Sequence, residues 1–141
     1  MQTDVVIDLI ARIRERVDSI LVAELKRRGV VNLVPSHGAI LAQLYRFGPL
    51  SMGRLAQLIR RKKNTVTTLV RKLEAAGYVV CDKDPTDSRV TLVAPTAQAA
   101  AFEPDFTAIS RLILDRIWGN MPEAERHALM AGLARLDANL D

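Results

Sequence analysis

Apolar residues recur at spacings of three and four near the start of the chain: Val6, Ile10, Ile13, Val17, Ile20 and Leu21, with arginines and acids between them. This spacing predicts an amphipathic helix over about residues 3–28, ended by Gly29. A second stripe, Ile40, Leu41 and Leu44, predicts a helix from Ser36, as N-cap, to Phe47. After the break "FGPLS", Ser51 can cap a short third helix with Met52, Leu55, Ala56 and Ile59 on its apolar side. Val66, Leu69, Val70 and Leu73 then share one face of a fourth helix, which starts at Asn64 and which Gly77 stops. The period next changes. "YVVC" and "RVTLV" are β-branched runs around "DKDPTDS", a pattern for a hairpin with an extended tip. From Thr96 the pattern is helical again, with Pro104 expected to kink or interrupt it before a second segment through Trp118. A last helix carries Pro122 in its first turn and Leu129, Leu133, Leu136 and Leu140 as its stripe.

Helix, short break, helix and two-stranded hairpin, in that order, predict a winged helix-turn-helix. The expected fold is therefore mainly α with a small β-hairpin wing, flanked by N- and C-terminal dimerisation helices. With 141 residues the chain has room for one domain. About 35–96 is expected to be the winged region, and about 1–34 and 97–141 the helical dimerisation region. The two terminal stripes are too long for one small sheet and two short helices to cover. Exposed stripes of that length mark an interface, which predicts a homodimer.

Charge sharpens this picture. The chain's net +4 is concentrated between Ser51 and Gly77, where Arg54, Arg60, Arg61, Lys62, Lys63, Arg71 and Lys72 face one acid, Glu74. That window carries +6, so the remainder is slightly acidic. On the fourth helix Asn64, Thr67, Thr68 and Arg71 fall on or near the face opposite the apolar stripe, and Lys72 flanks it. Such side chains can read base edges, and cations at a helix N-terminus favour phosphate. Taken singly, threonines near a helix start are often caps and a run of cations is usually a solvated surface. Their joint occurrence on a braced helix, followed by a hairpin, favours double-stranded DNA as the partner. The competing reading is a winged-helix protein–protein module whose basic helix docks on an acidic partner.

These residues carry a resemblance. "LSMGRLAQLI", "KKNTVTTLVRKLEAAGYVV" and "DPTDSRVTLV" together resemble the MarR family of bacterial transcription regulators, most strongly over about residues 37–99. The resemblance implies an intertwined homodimer that binds a palindromic DNA site and represses. It implies a recognition helix from Asn64, with Thr65, Thr67 and Thr68 toward the bases and Lys72 toward the backbone. It further implies that Arg89 is a wing-tip arginine entering the minor groove, steadied by Asp87. Arg54, Lys62, Lys63 and Arg71 complete the expected DNA-contacting set. A small-molecule effector of unknown identity is implied by the resemblance alone. The sequence departs from the family pattern at Thr68, Cys81 and Ser88, where arginines are common, and at Pro95, where leucine is. Arg60 and Arg61 occupy a turn that more often holds Gly and an apolar residue.

Other chemistries find little support. His37, Cys81 and His127 lack the short spacings of a metal site, so no metal or cofactor is expected. No phosphate loop, HExxH or nucleophile motif is present, so the chain does not read as an enzyme. A single cysteine fits a reducing cytoplasm, and Cys81 within a β-branched run reads as a small apolar filler. No signal peptide or apolar run of about 18 residues is seen, so no membrane partner is expected.

Overall fold

The three-and-four spacings fold as helices close to where they predict. In the computed structural model, which describes residues 2–141, these are α1 (Val6–Arg27), α2 (His37–Phe47), α3 (Met52–Ile59), α4 (Lys63–Ala75), α5 (Ala97–Trp118) and α6 (Glu123–Ala138). The β-branched runs form strands Val79–Lys83 and Thr91–Pro95. A short strand that the sequence pattern did not announce, Leu50–Ser51, joins them. Numbered along the chain as β1 (Leu50–Ser51), β2 (Val79–Lys83) and β3 (Thr91–Pro95), they make an antiparallel sheet in the order β1-β3-β2. Two residues are too few to show an alternating pattern, which is why β1 was not legible; it pairs Leu50 with Val93 and Ser51 with Leu92.

The molecule divides into two compact units, one ending at Ile109 and one spanning Ser110–Asp141. The first holds a dense core: Ile40, Leu41 and Leu44 of α2, Leu55 of α3, Val66, Val70 and Leu73 of α4, and Val93 of β3 are all buried. The α4 stripe therefore packs inward and fixes which face of that helix looks out.

Four local expectations are corrected. Ser36 is not a side-chain cap: its backbone is already helical, and the turn into α2 is closed by the His37 N–H donating to the Val34 carbonyl at 3.0 Å. Helix α4 starts at Lys63, one residue before Asn64. Pro122 stands at the N-cap of α6, just outside its first turn. Pro104 does not interrupt α5. Phe102 and Phe106 on either side of it stack edge-on with Tyr78 and Tyr45 respectively, and Arg28 pairs with Asp105 at 2.6 Å. The Tyr45 hydroxyl also donates to the Ala99 carbonyl at 2.6 Å. These contacts hold the helix across the one backbone bond that proline removes.

In the second unit α6 has no buried residue, and Leu129, Leu133 and Leu136 are each more than 40% exposed. In the first unit the same holds for Ile10 and Ile13 near the start of α1, whose one buried residue is Leu25. Among the described residues no helix is long and apolar enough to cross a membrane.

Candidate nucleic-acid interface

The brace comes first. Ser51 has extended backbone, and its Oγ accepts the Arg54 N–H at 3.0 Å, so it caps α3 as its residue type predicts. At the other end of α3, Arg60 adopts left-handed backbone, φ 54° and ψ 50°. This is the conformation that a glycine accepts without strain, which accounts for the turn's usual preference. An arginine there costs on the order of 1 kcal/mol.

Helix α4 opens without a side-chain cap, because Lys62 at the N-cap has no acceptor to offer. Its first intrahelical bond runs from the Val66 N–H to the Lys62 carbonyl, so the N–H groups of the preceding turn face outward from the helix end. The exposed face carries Asn64, Thr65 and Thr68, with Thr67 half-buried. Thr67 donates its hydroxyl proton to the Lys63 carbonyl at 2.9 Å, and Thr68 donates to Asn64 at 3.1 Å. Each hydroxyl thus commits its proton within the helix and keeps acceptor capacity of the kind that suits base amino groups.

The wing is tied at both ends. Gly77, at φ 88°, turns the chain from α4 into β2, and a Cβ there would meet the Gln98 Oε1 at 2.5 Å. Thr96 donates to the Gly77 carbonyl at 2.6 Å and accepts the Ala99 N–H at 3.3 Å, fastening the exit from the hairpin to the start of α5. At the tip, Arg89 places Nε 3.1 Å from Asp87 Oδ1 and Nη2 3.2 Å from Oδ2, and its backbone N–H donates to the same carboxylate. The Arg89 side chain is nonetheless 89% exposed. Asp87 is held below the usual carboxylate range, first by the hydrogen bond from the Arg89 side chain. Asp84, which the sequence reading passed over, accepts from the backbone and hydroxyl of Thr86 and closes the turn before the tip. Its signal was the Asp-Pro-Thr order of an Asx turn.

Not all the expected contact residues gather in one place. Lys63, Thr67 and Arg71 of α4 line one cleft with Arg89 of the wing, a space of about 280 Å³ that also reaches Gly53 of α3. Lys62 and Thr65 border a separate depression with Arg14, Arg60 and Arg61. Asn64 and Thr68 stand between on the exposed face. Arg54 is exposed on α3, with Nη1 3.4 Å from Gln57. Lys72 lies apart, beside His37 and Asn32. His37 is buried; its Nδ1 accepts the Val34 N–H at 3.2 Å, and burial, then the Lys72 charge, lowers its pKa.

The Cys81 thiol is pushed up to about 11, chiefly by burial and then by the Glu74 carboxylate, so it is protonated at neutral pH and lacks the thiolate character of a reactive cysteine. Among the described residues no cluster of three His, Cys, Asp or Glu could hold a metal ion.

Comparison with known proteins places this geometry. The family model described as "MarR family" matches residues 33–91. Over 69 residues the chain is 36% identical to the uncharacterized HTH-type transcriptional regulator YcgE of Bacillus subtilis (strain 168); the match covers 48% of this chain and 45% of YcgE, so it spans less than half the length of that curated relative. Among solved structures, a probable transcriptional regulator from Pseudomonas aeruginosa is 25% identical with a TM-score of 0.80, covering 96% of this chain and 99% of that one. The fold is shared with BpsR of Bordetella bronchiseptica, whose DNA binding is regulated by 6-hydroxynicotinic acid, at 22% identity and a TM-score of 0.76, covering 92% and 96%.

Proposed function

We propose that this chain, whose residues 33–91 match the MarR family model, is a winged helix-turn-helix transcriptional regulator of that family that binds a pseudo-palindromic operator as a homodimer and represses. The observation that carries this reading is the shared cleft: Lys63, Thr67 and Arg71 of the recognition helix and Arg89 of the wing line one cationic surface. A duplex can meet α4 with its major groove and the wing tip with the adjacent minor groove. The contacting set is Arg54, Lys62, Lys63, Asn64, Thr65, Thr67, Thr68, Arg71, Lys72 and Arg89, with Asp87 supporting the tip. The exposed stripes of α1 and α6, within residues 1–34 and 97–141, supply the surface for a second copy. Two recognition helices would then meet major grooves roughly 34 Å apart. An effector of unidentified chemistry would release the dimer from DNA.

The test is a gel shift on random genomic fragments and on the gene's own upstream region, across a salt series. Retention of one inverted repeat, with a steep loss of affinity in salt, is expected. Absence of any shift at low salt returns the basic helix to the protein-docking reading. Deleting residues 1–20 should lower both solution mass and operator affinity. A truncated chain that stays folded, dimeric and equally tight refutes the terminal-helix interface.

A further inference from the structure

Inter-strand bonds in an antiparallel pair link alternate residues. The Thr96 N–H donates to Tyr78 at 3.1 Å and the Asp84 N–H to Val90 at 2.9 Å. Tyr78, Val80, Asp82 and Asp84 therefore bond toward β3, whereas Val79, Cys81 and Lys83 turn their backbone groups away from it. The register agrees, since Val79 stands opposite Pro95, which has no N–H to give. Because β3 is central, those outward groups lie on the free edge of the sheet.

The Cys81 N–H on that edge has an acceptor: Glu74 Oε2, 2.9 Å away in the last turn of α4. Electrostatics alone argues against an acid here. Glu74 borders the cleft with Lys63, Arg71 and Arg89, where a negative charge repels a polyanion, and it sits at a helix C-terminus, where the dipole disfavours a carboxylate. The hydrogen bond is the compensating gain.

We propose that Glu74 is a positioning residue that latches the free edge of the wing to the end of the recognition helix. It thereby sets the angle at which Arg89 and the Thr67 face meet one duplex. The latch is a feature of the free protein, while its purpose rests on the DNA-binding reading above.

The experiment compares wild type, Glu74→Ala and Glu74→Gln in two measurements. One is backbone amide exchange of the free protein; the other is affinity for a duplex selected by the wild-type chain from a random pool, and for unselected duplex. In Glu74→Ala, Cys81 exchange should quicken and affinity for the selected duplex fall about tenfold, as loss of a charge-assisted bond implies. Binding to unselected duplex should hold or tighten, because a repelling charge is gone. Glu74→Gln keeps an acceptor and should retain selected binding. Protection of the α4 amides in the same exchange data establishes that each variant is folded. Equal tightening on both duplexes in both variants, with Cys81 exchange unchanged, overturns the proposal and leaves Glu74 as a charge only. A wild-type chain that selects no duplex overturns the DNA-binding reading and the positioning role together, whereas the latch itself stands or falls on Cys81 exchange.

Discussion

The winged region and the terminal helices bury their apolar stripes in opposite ways. Val66, Val70 and Leu73 of α4 are fully buried, in a helix that packs against α2, α3 and β2, and this packing leaves the threonine face outward. Helix α6 carries an equally regular stripe, Leu129, Leu133 and Leu136, yet buries none of it. Identical spacing thus has two outcomes. Within the winged region it completes a core inside one chain; on α6 it leaves a face that a single chain does not cover. The difference separates a stripe that one chain buries from one that the proposed second copy would cover.

The sharpest way to break this contrast is to truncate one residue of each stripe. Leu73→Ala should cost about 2–5 kcal/mol, because it empties a closed core. The loss should appear in urea unfolding at any protein concentration. Leu133→Ala should act mainly by weakening association, so its effect on the unfolding midpoint should shrink on dilution. Equal, concentration-independent losses would mean that α6 contributes to a single-chain core.

Within the winged region, the tip should matter to binding and little to folding. Arg89→Ala should lose about 1–3 kcal/mol of operator binding with an unchanged melting temperature. Asp87→Ala should act through Arg89, so a double-mutant cycle should be non-additive. Additive losses would detach the carboxylate from the arginine's role.

The strained turn allows a test in the opposite direction. Arg60→Gly should raise stability by about 1 kcal/mol, since glycine accepts φ 54° freely. An unchanged or lower unfolding midpoint would mean that the arginine side chain returns more than its backbone costs.

Smaller effects are expected from single phosphate contacts. Replacing Lys62, Lys63 or Lys72 by Ala should weaken binding alike on all sequences and reduce the salt slope by about one unit each. Lys72, apart from the cleft and beside His37, is the one whose unchanged slope would redraw the DNA-facing surface.

His37 gives a pH signature to the same core. Its folded pKa is lowered, so the unfolded chain binds the extra proton. The stability it contributes is present above the ordinary histidine value of about 6.5 and is lost as pH falls from there through the lower folded value. Melting curves from pH 8 to 5 should show this loss, and His37→Gln should flatten it. An identical slope in the variant would place the titration elsewhere.

Much of the fold was legible because periodicity is a local signal. The stripe of α4, the Ser51 cap, the stop at Gly77 and the two β-branched runs each follow from residues a few positions apart. The MarR resemblance was carried by the same segments, which lie within or beside residues 33–91. Tertiary structure decided what depends on distant residues. Strand β1 exists because β3 offers Leu50 and Ser51 an edge to pair with. Helix α5 passes through Pro104 because Tyr45, Tyr78 and Arg28 grip it from other elements. Which cations meet was likewise undetermined by spacing: Lys63, Arg71 and Arg89 share a cleft, while Lys72, adjacent to Arg71 in sequence, lies on another side. Consecutive residues on a helix point about 100° apart, so a run of charges in sequence is dispersed in space until the fold brings other elements to one side of it.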